Sequence, residues 1–151
     1  MSKTVCFTGH REIPREYLAE LPGRIDSILE RLYKAGYRTF VAGGAEGFDT
    51  LVALRVIELR ARRPDVILRL SLPYEREGSE AYRRTLAGAD EIEYIAREFH
   101  NGSTFERDRR LVDSSTACVA FYIAGRGGGT LYTVRYANSR GVPVVNIAPK
   151  R

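Results

Sequence analysis

Apolar positions along this chain switch repeatedly between two periods, the short unbroken runs of buried strands and the three-and-four spacing of amphipathic helices. Residues 4–8 form a first apolar run. Tyr17, Leu18, Leu21, Ile25, Ile28, Leu29 and Leu32 then recur at helical spacing across residues 14–35, a stretch that Pro22-Gly23 is expected to kink or split and Gly36 to end. A second strand is predicted over 38–42, and a helix over 48–62 with Val52, Val56 and Leu59 on one face and Pro64 as its stop. Further strands are expected at 66–72, 91–96, 117–123 and 142–147, and helices at 79–87, 105–113 and 131–139. This alternation predicts an α/β fold, a Rossmann-like three-layer sandwich with a mainly parallel sheet. In such sheets ligands sit beyond the carboxyl ends of the strands, near the point where strand order reverses.

The 151 residues suit a single Rossmann-like domain spanning 1–151, long enough to bury about two-thirds of the unfolded surface. No apolar run approaches the roughly 18 residues of a membrane span, and residues 4–7 are too short for a secretory core, so a cytoplasmic location is expected. Cys6 and Cys118 fall inside strand patterns and read as reduced core thiols; no Cys/His spacing suggests a metal, and no cofactor is called for. The net charge of +5 favours an acidic partner without choosing between a nucleotide and a nucleic acid. The sequence leaves a homo-oligomer open.

Candidate chemistry gathers at three strand ends. The first strand runs into Thr8-Gly9-His10-Arg11, the second into Gly43-Gly44-Ala45-Glu46-Gly47-Phe48-Asp49, and the fifth into a turn holding Gly127-Gly128-Gly129-Thr130. Glycines let backbone N–H groups close on an anion, and a helix N-terminus adds unpaired N–H groups and a positive dipole end. The third turn therefore reads as a phosphate cradle. Neither G-x-G-x-x-G after the first strand nor a Walker G-K-[ST] is present, which argues against an ordinary nicotinamide dehydrogenase and a P-loop enzyme. Arg11 can fork onto a phosphate, while His10 reads either as an anion donor or as a backbone cap. Glu46 and Asp49 are the candidate catalytic carboxylates, with Asp49 also suited to the dipole of its helix. Ser103 or Thr104 is the expected cap of the next helix. The Arg60 to Arg63 and Arg83-Arg84 clusters suit helix C-termini.

These segments, together with the helix Phe105-Glu106-Arg107-Asp108-Arg109-Arg110-Leu111-Val112-Asp113, resemble the YpsA/YspA-type branch of the SLOG superfamily. That superfamily also contains the LOG phosphoribohydrolases and the DprA recombination mediators. The resemblance runs from Thr4 to nearly the C-terminus. It implies a Rossmann-like pocket for nucleotides or nucleotide-derived ligands, and it singles out Arg107 at the place of an R-N motif. Two positions depart from the pattern. LOG-type enzymes carry a Glu three residues after the Thr of the glycine turn, where this chain has Thr133, and Asp108 stands where the branch tends to have Asn. The expected function is binding of a phosphate-containing nucleotide or derivative at the strand ends, as a sensor or carrier. The alternatives are a nucleotide N-glycosidase using Glu46 or Asp49, and a single-stranded nucleic-acid module. Against the last stands the scatter of Tyr82-Arg83-Arg84, Tyr132 and Tyr136 along the chain.

Overall fold

A computed structural model describes residues 3–149. Six strands, β1 (Lys3–Gly9), β2 (Tyr37–Ala42), β3 (Ile67–Leu72), β4 (Glu91–Tyr94), β5 (Ala117–Phe121) and β6 (Val144–Asn146), alternate with helices α1 (Arg15–Leu18), α2 (Leu21–Lys34), α3 (Phe48–Arg62), α4 (Glu80–Gly88), α5 (Ser103–Asp113) and α6 (Gly129–Ser139). The strands form one sheet in the order β4-β3-β2-β1-β5-β6, and every pairing is parallel. The chain builds outward from β1 through β4 and then returns to the other side of β1 with β5 and β6. Strand order thus reverses between β1 and β5, where a crevice opens beyond their carboxyl ends.

The period-2 alternation of the central strands feeds two apolar layers. Val5, Phe7, Phe40, Leu68, Leu70, Leu72, Val119 and Phe121 face α1 to α4 with Ile25, Leu29, Phe48, Val52 and Val56. The opposite face is thinner, with Cys6, Val41 and Cys118 packed against Leu111 and Val112 of α5 and Ala137 of α6. Helices on both faces are the covering a parallel sheet requires. Cys6 and Cys118 are register partners on β1 and β5, buried and unoxidised, and the hydrogen bond with Cys6, reinforced by burial, drives the Cys118 thiol upward in pKa.

Several boundaries differ from expectation for identifiable reasons. The 14–35 stretch breaks at Ala19-Glu20, and Pro22 sits in the first turn of α2, where its missing N–H would be unpaired in any case. β4, β5 and β6 stop short of 96, 123 and 147 because pairing ends before the apolar pattern does. α5 begins at Ser103 after Gly102, without a side-chain cap from Ser103 or Thr104, and the Ser103 hydroxyl turns back to the His100 carbonyl (2.9 Å). α6 starts at Gly129, so the glycine turn itself supplies the helix N-terminus. Arg60 and Arg63 lie at the end of α3 as expected, on Asp90 (2.6 Å) and Glu30 (3.2 Å), whereas Arg83 and Arg84 fall in the middle of α4 rather than in its last turn, with Arg83 donating to the Gly78 carbonyl (2.9 Å). Among the described residues no helix is long and apolar enough to cross a membrane.

Candidate functional site

Beyond the β1 and β5 ends lies a cavity of about 320 Å³ lined by Thr8, Gly9, His10 and Arg11, by Ala45 and Asp49, by Thr104, Phe105, Arg107, Asp108 and Leu111, and by Gly127 to Thr130. All three glycine turns border this region, although not every expected residue lines it. A smaller cavity of about 180 Å³ shares Arg11, Ala45, Thr104 and Arg107 with the first and adds Gly44, Glu46, Pro73, Tyr74 and Arg76.

His10 serves the scaffold. Its Nε2 accepts the Ile123 N–H (2.9 Å), and its carbonyl accepts the Phe48 N–H (3.2 Å), so one residue joins the ends of β1 and β5 to the start of α3. Burial, reinforced by the Arg126 charge, holds the imidazole below its usual pKa, in keeping with an acceptor nitrogen. The backbone-capping reading of His10 is the one its geometry supports. Arg11 stands exposed at the cavity rim.

The second turn places its two carboxylates differently. Glu46 faces away from the larger cavity and holds the β3–α4 connection, accepting from the Ser79 hydroxyl (2.7 Å) and pairing with Arg76 (3.4 Å). The Ser79 bond is the main reason its pKa falls below the ordinary carboxylate value. Asp49, in the first turn of α3, is only 5 % exposed and lines the larger cavity. Its Oδ2 accepts the Ala45 N–H (3.1 Å), while Oδ1 is the buried side-chain polar atom without a hydrogen-bond partner among the described residues. Burial lifts its pKa from 3.8 to about 6, with Arg107 working in the opposite direction.

Arg107 and Asp108 come from the inward face of α5. Arg107 Nε donates to Asp108 Oδ1 (2.7 Å), and Nη1 donates to the Gly43 carbonyl. Both side chains are buried. Desolvation raises the Asp108 pKa despite the adjacent guanidinium, and Thr133 borders the same carboxylate while its hydroxyl donates to the Gly129 carbonyl (2.9 Å). Gly43 is dictated by this packing, since a Cβ there would lie 2.7 Å from Arg107 Nη1 and 3.0 Å from Asp49 Oδ2. Arg107 is thus both a cavity wall and a clamp between α5 and the end of β2.

Asp108 is the residue that sequence reasoning passed over as a departure from a motif. Thr104, Arg107, Asp108 and Leu111 fall at helical spacing, and that period alone marks one face of α5 as the cavity wall. Opposite it, Gly128 has φ +89° and ψ −159°, a left-handed backbone that L side chains rarely adopt, and Thr130 is buried one residue into α6. Among the described residues, apart from the adjoining ones, no heavy atom lies within 4 Å of a Cβ built on Gly127 or Gly128, so this turn leaves room for a bound group.

Of the aromatic residues expected to be scattered, Tyr82 is core, but Tyr132 and Tyr136 come together with Phe105 along α5 and α6. Phe105 and Tyr132 lie 4.6 Å apart by ring centroids, Tyr132 and Tyr136 6.5 Å, and Arg109 donates to the Tyr132 hydroxyl (2.8 Å).

The sequence matches no family model and no curated protein. Solved structures do share the fold. DNA processing protein A from Helicobacter pylori, described in a single-stranded DNA binding mode, aligns with a TM-score of 0.71 at 16 % identity over 99 % of this chain and 66 % of its own. DprA from Streptococcus pneumoniae aligns at 0.69 and 17 % identity, over 95 % of this chain and 49 % of its own. TM1055, a structural genomics target, aligns at 0.64 and 20 % identity, over 94 % of this chain and 72 % of its own. The chain therefore spans about two thirds of the one DprA and half of the other. At these identities the likeness is one of fold, and what the chain has in common with DprA is a Rossmann-like parallel α/β sheet.

Proposed function

We propose that this chain binds a phosphate-bearing nucleotide or nucleotide-derived ligand at the strand ends, as a sensor or carrier, in keeping with its resemblance to the YpsA/YspA-type branch of the SLOG superfamily. The observation that carries the reading is convergence on one cavity. The N-terminus of α6, entered through an open glycine turn, faces the same 320 Å³ space as the end of β1 and the buried carboxylate of Asp49. Unpaired N–H groups and the helix dipole favour an anion at α6, and Arg11 adds a charge at the rim. The volume lies at the lower end of ordinary small-molecule sites.

Melting curves with millimolar inorganic phosphate and adenosine diphosphate test this directly, because a ligand that binds only the folded state raises the melting temperature by mass action. A rise that grows with ligand concentration is expected. No shift with any phosphate compound overturns the reading.

Single-stranded nucleic acid is the second reading, favoured by the DprA fold likeness and by the Phe105, Tyr132 and Tyr136 row beside Arg109. Base stacking on such rings combined with phosphate contacts would give strong salt dependence. Oligonucleotide affinity that falls steeply with salt, alongside mononucleotides that do not bind, would make this the better account.

A further inference from the structure

A buried carboxylate oxygen without a donor is rare in a folded protein and needs an explanation. Among the described residues Asp49 Oδ1 is that atom, and Asp49 is part of the cavity wall. The bonds its neighbours make go elsewhere. Ala45 N–H is on the other oxygen, and the Arg107 guanidinium is held by the Gly43 carbonyl and by Asp108. The terminal torsion of Asp is soft, so a modest turn presents one oxygen to the cavity while the other keeps the Ala45 N–H. A donor carried by a ligand would complete the site.

Two features narrow what that donor is. Asp49 lies in the field of Asp108 as well as of Arg107 and Arg11, so the charge around it is already compensated, and a neutral hydroxyl suits such surroundings. Position along the ligand agrees. The cradle at Gly127 to Thr130 suits the phosphate, and the smaller cavity, which borders the first through Arg11, Ala45, Thr104 and Arg107, has Tyr74 in its lining, a residue suited to a base. What lies between a nucleotide's phosphate and its base is the sugar.

We propose that Asp49 accepts a hydrogen bond from a ribose hydroxyl of the bound ligand, so that the cavity takes ribonucleotides in preference to their deoxy counterparts. This rests on the nucleotide reading above. A carboxylate on a sugar hydroxyl is a charge-assisted bond, and a site built around it rejects an analogue lacking the hydroxyl because the buried acceptor is left unpaired.

Titration calorimetry of the full chain at pH 7.5 with inorganic phosphate, AMP, 2′-deoxy-AMP and 3′-deoxy-AMP provides the test. AMP is expected to bind at least about tenfold more tightly than one of the deoxy forms, and Asp49→Ala to abolish that difference. The comparison of the four ligands on the unaltered protein stands even if the variant is unstable. Phosphate and AMP binding with no loss for either deoxy form overturns this inference alone, as does a deoxy discrimination that persists in Asp49→Ala. Absence of binding by phosphate and AMP alike overturns the nucleotide reading and this inference with it.

Discussion

Asp49→Asn is expected to make the protein more stable at neutral pH, the reverse of what removing a buried charge from a scaffold ion pair would do. The carboxylate is 5 % exposed, holds one backbone N–H and leaves one oxygen unpaired among the described residues. Lifting its pKa from 3.8 to about 6 corresponds to about 3 kcal/mol of destabilisation at pH 7.5, taking roughly 1.4 kcal/mol per pH unit. The sign follows from proton binding. The folded state holds this proton more tightly than the unfolded chain, so the wild-type protein gains from Asp49 as pH falls through about 6 toward 4 and loses that gain as pH rises. Asn keeps an acceptor for the Ala45 N–H and removes the charge, at the cost of a weaker hydrogen bond, which leaves a net gain of about 2 kcal/mol. For a chain of this size that is about 5 °C in melting temperature. Thermal unfolding of both proteins at pH 7.5 and pH 5 measures it, and the burial penalty should drop to about half at the lower pH. His10, whose depressed pKa stabilises the fold above about 6.5 and less below, is common to both proteins and cancels in the difference. A variant no more stable than wild type at pH 7.5, or a gap that does not narrow at pH 5, would refute the assignment of Asp49 as an uncompensated buried carboxylate.

Three further outcomes follow from the same geometry. Gly127→Ala places its Cβ in open space, so the melting temperature should stay within about 2 °C while phosphate affinity falls about tenfold; Gly128→Ala, at φ +89°, should lose about 1 kcal/mol besides, and calorimetry with chemical denaturation separates the two. Arg11→Lys should fold like wild type and bind phosphate more weakly, because the fork is lost at an exposed site. Arg107→Lys should be destabilised by about 3 kcal/mol, because Asp108 is left buried without its guanidinium, and denaturant midpoints distinguish them. Base release from nucleoside monophosphates should be weak or absent and insensitive to Glu46→Gln, since Ser79 and Arg76 occupy that carboxylate, and chromatographic detection of free base that collapses in Glu46→Gln would contradict this placement.

Most of the architecture was legible because the signals are strong ones. The 3.6 period of residues 17–32, the apolar runs of β1 to β3, β5 and the strand-end glycines place six strands and their helices on the correct sheet edge. What escaped the sequence depends on contacts made at a distance. Proline chemistry marks a boundary near Pro22 but cannot say on which side the chain breaks, and α2 uses the proline as a start. Glu46 and Asp49 lie three residues apart, and the sequence favours Glu46 slightly because Asp49 also suits the dipole of its helix. Only the approach of Ser79 and Arg76 to one, and of the α5 wall to the other, divides a structural carboxylate from an unpaired one. Asp108 was hidden for a related reason. Its place against Arg107, Thr133 and the α6 entrance joins segments far apart in the chain, and a missing carboxylate at 133 says nothing about one arriving from α5.

The unpaired oxygen of Asp49 also bears on which of the two readings suits a DprA-like fold. A deoxy strand threaded through this cavity would offer Asp49 no sugar hydroxyl, so its binding would gain nothing from an ionised Asp49. A ribonucleotide makes the opposite demand, because the hydroxyl is held best by the ionised carboxylate. The ratio of AMP to 2′-deoxy-AMP or 3′-deoxy-AMP affinity, whichever deoxy form is the weaker, isolates this from the ionisation of the phosphate common to both ligands. Asp49 has a pKa of about 6 in the folded protein, so the ratio should rise as pH increases from 5 to 7.5 and level off above. Oligodeoxynucleotide affinity measured over the same range, at constant salt, should not follow it. A ratio that stays flat across pH 6 would mean that Asp49 does not hold the sugar. An oligodeoxynucleotide affinity that rises with falling pH while the ratio is flat would place the strand, rather than the nucleotide, against this carboxylate.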